Sequence, residues 1–236
     1  MRIHFNIWQM RPVVYLMLGV APLLTLVMYL YLRKYHSRDF NKLLLQSYLA
    51  GTAAVLVLLT AEYISMKMGI SILHSLNRIL FISFITIGAS SELGKFIIVW
   101  YFIIPKKQIT RPIDAISVSI MASLGFSTIA IILFIFNVFG IFTLFATTVY
   151  AFVFVPANII FSVIMGFFIG MAKFLKARIV FTLTGLFGAI FFHGIFNFCM
   201  LTNDFKLLSL FSFGSTIIVL ILGLKAAYTK PEISDQ

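Results

Sequence analysis

A glutamate and a lysine stand in the middle of an otherwise uncharged run. The stretch GASSELGKFIIV holds Glu92 and Lys95, and no other charged residue occurs in the 26 residues from Ile79 to Ile104. A helix of that length can cross the hydrocarbon core of a bilayer. Because an ionised side chain at that depth costs about 3 kcal/mol on insertion scales, we expect these two residues, three apart on one helical face, to form an ion pair. A polar pair at mid-membrane depth is also a candidate functional site.

A histidine and an asparagine form a second polar pair nearer the C-terminus. The segment HGIFNF places His193 and Asn197 four residues apart, so their side chains share one face of a helix. A histidine beside an orienting amide can serve as a metal ligand or as an acid–base group. A lone intramembrane histidine is more often a hydrogen-bonded packing residue, and the spacing alone leaves both roles open.

The composition shows which elements must position these residues. The chain of 236 residues is 61% hydrophobic and 11% charged, with a mean hydropathy of +1.08, whereas soluble domains average about 25% charged residues. The apolar runs are continuous, which favours helices over the short alternating strands of a membrane barrel. We therefore predict an all-α, polytopic transmembrane bundle that forms a single transmembrane domain over residues 1–236, with spans near 12–32, 43–65, 79–104, 112–137, 156–172, 179–200 and 207–227.

The apolar segment 138–155 is ambiguous, and the distribution of basic residues favours seven crossings over eight. Lysines and arginines cluster in the predicted loops 33–42, 105–111 and 173–178. All three loops lie on one side of the membrane if 138–155 does not cross it. The positive-inside rule then predicts a multi-pass protein of the cell membrane with its N-terminus outside and its C-terminus in the cytosol.

The net charge of +11 does not indicate a nucleic-acid partner. The basic residues are scattered among short loops, where such residues act as topology signals and contact anionic lipid head groups. We therefore expect the lipid bilayer as a partner and no nucleic acid.

Two glycines in the fifth predicted span have a spacing that suits close helix packing. Gly166 and Gly170 in MGFFIG are four residues apart, and this GxxxG pattern lets helix backbones approach closely. We expect both glycines to pack inside the bundle.

Taken in order along nearly the whole chain, these segments resemble the PrsW-type members of the intramembrane metalloprotease superfamily that also contains the CAAX prenyl endopeptidases. GASSELGKF is similar to the family's Glu-Glu-x-x-Lys element, and HGIFNF to its closing His-x-x-x-Asp/Asn element. RPIDAISVSIMASLGFSTIA resembles the fourth span, which carries Gly-Phe-x-x-x-Glu, and VPANIIF resembles a segment that usually reads Pro-x-His. The resemblance implies a helical membrane protein that uses zinc to cleave membrane protein substrates.

Three positions depart from the family pattern. The first glutamate of the paired element is Ser91, the acid of the fourth span is Ala130, and the histidine of the fifth span is Asn158. The catalytic element is thereby reduced to a remnant of four residues. A catalytic zinc usually needs three protein ligands and an open position for water, and this remnant supplies one histidine and one carboxylate, so we expect no metal. The residues that remain are Glu92, Lys95, His193 and Asn197.

Three functions therefore compete. The first is a catalytically degenerate relative that binds or scaffolds a transmembrane partner. The second is an active intramembrane metalloprotease that recruits other ligands, for instance Glu62 alongside Glu92 and His193, and would hold zinc. The third is a membrane protein that handles lipids or small molecules in its polar pocket, which requires a cavity that opens to the bilayer or to an aqueous face.

Overall fold

The chain is helical throughout the part that the computed structural model describes, residues 11–70, 75–136, 144–175 and 177–229, and no strand occurs there. Two helical segments within the third span have π-helical geometry, with hydrogen bonds five residues apart. The α-helices are α1 (Arg11–Leu32), α2 (Arg38–Ala53), α3 (Val55–Lys67), α4 (Leu76–Phe81), α5 (Ser90–Ile97), α6 (Pro112–Ile135), α7 (Leu144–Phe174), α8 (Arg178–Thr202) and α9 (Phe205–Tyr228), and the π-helical segments are Ile82–Ala89 and Ile98–Ile103.

Seven stretches of the described residues are long and apolar enough to cross a membrane, which confirms the predicted fold class. Helices α2 and α3 meet at Ala54 and together form the second span, while α4, α5 and the two π-helical segments form the third. The spans are Val14–Leu32, Arg38–Lys67, Leu76–Ile103, Pro112–Ile135, Phe152–Phe174, Arg178–Thr202 and Phe205–Tyr228.

The fifth span begins earlier than the sequence predicts. Helix α7 starts at Leu144 and continues through Pro156 to Phe174, a length of 31 residues. The predicted start near residue 156 is therefore wrong, because a proline inside a transmembrane helix is tolerated when neighbouring groups satisfy the freed carbonyl. Residues 144–155 belong to helix α7, and the fifth span within it begins at Phe152; positions 138–143 lie outside the described residues.

Short polar signals set several helix ends. The Ser37 hydroxyl accepts a hydrogen bond from the backbone N–H of Phe40 at the start of α2, and the Asp204 carboxylate accepts one from Leu207 N–H at the start of α9. Both side chains satisfy N–H groups that have no partner within the helix. Helix α8 ends at Asn203, whose φ of 57° is the left-handed conformation common at helix C-termini.

Helix α6 lies at the centre of the bundle, and α1 and α9 lie at its edge. We compare the most apolar 18-residue stretch of each span. In the fourth span 72% of that stretch is buried, whereas in the first and seventh spans only 11% is buried. Helix α6 packs against α2 on one side and α7 on the other. Helix α6 therefore connects the N-terminal helices with α7 in the core of the bundle.

Glycines allow the helices to approach α6 closely. Gly125 of α6 faces the backbone of Tyr48 in α2, and Gly51 of α2 faces the backbone of Ala122. On the other side, a Cβ atom at Gly166 of α7 would lie 2.8 Å from Ser119 Oγ. The equivalent atom at Gly170 would lie 2.9 Å from Cα of Pro112. Both glycines of the GxxxG pattern thus lie against α6.

We predict that Gly125→Ala destabilises the protein, because its new methyl group would collide with the Tyr48 carbonyl oxygen, which belongs to the backbone and cannot rotate away. Overpacking of this kind costs about 1–3 kcal/mol, which unfolding of the detergent-solubilised protein would measure. The matched control is Gly214→Ala in α9, where an added Cβ atom meets open space. Equal stability of the two variants would contradict the close packing of α2 on α6.

Candidate functional site

The buried ion pair that the sequence predicts is formed in α5. The Lys95 ammonium donates a hydrogen bond to Glu92 Oε1 at 2.6 Å, and both side chains are fully buried. Helix α5 is a short α-helical stretch between two π-helical segments, and such segments often occur at functional sites. This pair is the centre of a polar cluster that joins the third, fifth and sixth spans.

Asn158 of α7 is the second acceptor for the lysine. Lys95 Nζ donates to Asn158 Oδ1 at 2.8 Å, and Asn158 Nδ2 donates to the Phe154 carbonyl at 3.0 Å. The Ser123 hydroxyl of α6 donates to the carbonyl of Asn158 at 3.0 Å. Asn158, where the sequence resemblance leads us to expect a histidine, is therefore an acceptor for the ammonium group.

His193 of α8 contacts the same carboxylate oxygen as the lysine. Its Nδ1 lies 2.7 Å from Glu92 Oε1, and the ring is fully buried. Because a carboxylate can only accept, Nδ1 carries the proton and donates it. The imidazole stacks on the Phe161 ring, with 4.8 Å between the ring centroids, which fixes the plane of the ring.

Asn197 supports the cluster from one turn further along α8. Its amide Nδ2 donates to the His193 carbonyl at 3.0 Å, and its Oδ1 accepts a hydrogen bond from the Tyr150 hydroxyl at 3.0 Å. Tyr150 is fully buried and lies in the segment that the sequence left ambiguous. The sequence analysis did not identify Tyr150 as a member of the cluster. Its position in an apolar helix could have indicated this role, because a buried tyrosine hydroxyl usually has a hydrogen-bond partner.

Two further residues that the sequence analysis singled out, Ala130 and Ser91, also lie in the core. Ala130 is fully buried in α6, one turn beyond Phe126, whose ring lies 5.0 Å from Lys95 Nζ. Ser91 is fully buried beside Glu92, and its hydroxyl has no hydrogen-bond partner. Neither residue supplies a carboxylate to the cluster.

The donors that face this site do not fit a catalytic zinc ion. Two buried atoms, Glu92 Oε2 and His193 Nε2, have no hydrogen-bond partner and could each donate an electron pair. A third protein ligand is needed. In the described part of the chain, no three histidine, cysteine, aspartate or glutamate side chains group closely enough to hold a metal. The predicted alternative in which Glu62 joins Glu92 and His193 is therefore not formed.

Glu62 lies at a different place in the core. It is 3% exposed on α3, and its Oε1 has no hydrogen-bond partner. Among the described residues, no hydrogen bond or ion pair joins Glu62 to Glu92 or His193.

A cavity of about 290 Å³ lies beside the cluster, between α7, α8 and α9. Phe161 and Phe196 line it, and Phe161 also covers the His193 ring. None of the four remnant residues lines this cavity, and each of them is fully buried. The closed polar cluster counts against the prediction of an open pocket for lipids or small molecules.

We predict that Lys95→Met destabilises the protein strongly, because it leaves the Glu92 carboxylate buried without its counter-ion. The expected loss is about 3–5 kcal/mol, measured by unfolding in detergent. The double variant Glu92→Gln/Lys95→Met should be less destabilised than Lys95→Met, because the amide oxygen still accepts from His193 and carries no charge.

A matched control exists at the surface of the protein. Lys42 and Asp39 form a pair with the same i, i+3 spacing at 3.3 Å, and their side chains are 68% and 74% exposed. Lys42→Met should change stability little, because exposed ion pairs contribute little. An equal effect of Lys42→Met and Lys95→Met would contradict the buried pair.

The comparisons with known proteins agree with the helical membrane architecture. The family described as PrsW family intramembrane metalloprotease matches residues 41–224. Proteins named "Protease PrsW" are similar to the chain at 28% identity over 187 residues in Geobacillus kaustophilus (79% of each chain) and at 24% over 188 residues in Clostridioides difficile (78% of each chain). The protein of that name in Bacillus subtilis is 27% identical over 184 residues, which cover 77% of this chain and 80% of its own. No solved structure matches significantly. The chain therefore belongs to the PrsW family of membrane proteins.

Proposed function

We propose that this PrsW-family protein binds or scaffolds a transmembrane partner and does not hydrolyse it. We assign Glu92, Lys95, His193 and Asn197 as the remnant of the family's catalytic element, kept as a polar lock between three spans. The observation that carries this proposal is the position of Lys95 Nζ, which is bonded to Glu92 on its own helix and to Asn158 on α7.

The arrangement supports packing more than water activation. A general base must reach a water molecule with a free lone pair of suitable basicity. Both Lys95 and His193 donate to Glu92 Oε1, and the whole carboxylate is closed off from solvent. Removing Glu92 or Lys95 would leave a buried charge without its counter-ion, and this penalty accounts for retention of the pair without catalysis.

An active intramembrane metalloprotease is the second candidate. The relatives are named as proteases, and the unpartnered Glu92 Oε2 and His193 Nε2 are two atoms that a metal could use. A histidine that donates Nδ1–H to a carboxylate commonly binds metal through Nε2. This reading requires one further ligand, since two donors do not complete a catalytic zinc site.

Metal analysis of the purified protein would separate the two candidates. For the degenerate protein we expect well below one zinc ion per chain by mass spectrometry, both in the unchanged protein and in His193→Ala. Near-stoichiometric zinc that disappears in His193→Ala would contradict the proposal and favour the protease.

Restoring the family residues provides the converse test. We expect Ser91→Glu/Ala130→Glu/Asn158→His to gain zinc, because these positions would supply the carboxylates and the imidazole that the site lacks. A matched variant, Ser91→Gln/Ala130→Gln/Asn158→Gln, makes similar changes in size without the ionisable ligands. Size-exclusion chromatography would show that both variants remain folded.

The partner part of the proposal is supported by the exposed outer helices. The first and seventh spans are only 11% buried within the chain, so their apolar faces are available to lipid or to another helix. A photo-crosslinking residue at Leu220, which is 61% exposed on α9, should yield a discrete protein adduct in native membranes. Lipid adducts alone would contradict a partner on this face.

We also propose a location and an orientation for the protein, a single transmembrane domain of the cell membrane with its N-terminus outside and its C-terminus in the cytosol. Met68 directly follows the second span and Lys107 follows the third span, so the two exposed residues lie at opposite ends of the bundle. The chain's single cysteine, Cys199, is buried. In intact cells a membrane-impermeant maleimide should label Met68→Cys and should label Lys107→Cys only after lysis. The reverse pattern would overturn the orientation.

A further inference from the structure

Three chain junctions meet at one end of the bundle. They are the connections from α1 to α2, from the third span to α6, and from α7 to α8. Lys173 near the end of α7 joins the last two, because its ammonium donates to the carbonyls of Ile104 at 2.8 Å, Lys106 at 3.2 Å and Ile109 at 2.9 Å. The loop before α6 is therefore held against the end of α7.

Asp114 in the first turn of α6 connects the α1–α2 junction with the junction that precedes α6. Its Oδ2 accepts from the backbone N–H groups of Thr110 at 3.0 Å and Arg111 at 2.9 Å. Its Oδ1 accepts from the Arg111 guanidinium at 3.2 Å and lies 3.4 Å from His36 Nε2 in the α1–α2 connection. This buried carboxylate thus fastens the first junction to the second.

Arg178 at the start of α8 lies against the end of the third span. Its guanidinium carbon is 4.8 Å from the centroid of the Trp100 ring, a cation–π distance. The contact places a partly exposed tryptophan at the same end as the three junctions. Trp100 is therefore a fluorescent reporter of the lipid environment at this end.

The junctions carry a concentration of exposed basic side chains. Arg33 and Lys34 are exposed in the first, Lys106 and Lys107 in the second, and Arg178 in the third. The acidic residues at this end already have partners. Asp114 is buried and hydrogen-bonded, and Asp39 forms an ion pair with Lys42. Among the described residues, this end has a strong excess of positive charge.

The opposite end is weakly charged by comparison. Its described basic residues are Arg11, Lys67, Arg78 and Lys206, and Asp204 lies two positions before Lys206. The sequence places the basic residues in these three junctions, and the contacts of Lys173 and Asp114 bring the junctions together at one end of the bundle.

We propose that the end formed by the three junctions binds the head groups of anionic phospholipids from the surrounding bilayer. The occupant follows from charge complementarity at the membrane surface, where several cations at fixed positions attract lipid phosphates more strongly than zwitterionic head groups. Arg33, Lys34, Lys106 and Lys107 supply the binding charge, while Lys173, Asp114 and Arg178 hold the junctions in place. This inference does not depend on whether the polar lock is catalytic.

Quenching of Trp100 fluorescence by brominated lipids tests the proposal. The chain has two tryptophans, so Trp8→Phe leaves Trp100 as the reporter. The protein is reconstituted in phosphatidylcholine vesicles that contain brominated phosphatidylglycerol or brominated phosphatidylcholine at equal fractions. We expect brominated phosphatidylglycerol to be preferred at this site by at least about threefold at low salt, and the preference to fall in 1 M salt, where the screening length is about 3 Å.

Charge removal at either end makes the test specific. In the Trp8→Phe background, Arg33→Gln/Lys34→Gln/Lys106→Gln/Lys107→Gln should abolish the preference, whereas Lys67→Gln/Arg78→Gln/Lys206→Gln at the opposite end should retain it. Equal quenching by the two lipids, or a preference that survives the fourfold substitution, would overturn the proposal. The salt dependence of the Trp8→Phe protein decides the question even if the fourfold variant fails to fold, because a preference unaffected by 1 M salt would also overturn it.

Discussion

A lysine ammonium and a glutamate carboxylate buried in the middle of a membrane span are the constraint on which the core depends. Lipid chains offer such groups no hydrogen bonds, so every donor and acceptor must be met by the protein itself. Glu92 and Lys95 meet each other on α5, but the lysine also requires Asn158 from α7, and the carboxylate also receives His193 from α8. The relative positions of three spans are therefore tied to one pair of charges. A shift of α7 or α8 by one residue would leave at least one of these groups unsatisfied.

Close packing at glycines holds the helices around this pair. Helix α6 approaches α2 through Gly51 and Gly125, and it approaches α7 through Gly166 and Gly170. These contacts need only small residues, and they do not involve the three substituted positions. Family membership over residues 41–224 therefore accounts for the helical bundle, whereas activity depends on the side chains placed inside it. Asn158 illustrates this dependence, because its amide satisfies the buried ammonium group of Lys95, whereas an amide is a poor zinc ligand.

The charged groups outside the core follow a different rule. At the end where the three junctions meet, buried contacts of Asp114 and Lys173 order the loops, while neighbouring basic side chains remain exposed. Inside the membrane the charges of Glu92 and Lys95 are matched by each other, because an unpaired charge is costly where the dielectric constant is low. At the surface, water and counter-ions screen the charges, so an excess of one sign is tolerated and can attract lipids of the opposite sign.

Periodicity and composition determined the number of spans, the pairing of Glu92 with Lys95 and the shared helical face of His193 and Asn197, because these depend on local spacing and on the length needed to cross a bilayer. Tertiary structure alone decided which distant groups complete the cluster. Asn158 lies 63 residues from Lys95, and Tyr150 lies 47 residues from Asn197, so no local pattern connects them. It also decided that Glu62 does not join Glu92 and His193 as a ligand and that α7 continues through Pro156, since both depend on how neighbouring helices pack. Spacing along one helix fixes which side chains share a face, but the packing of separate helices determines which faces meet.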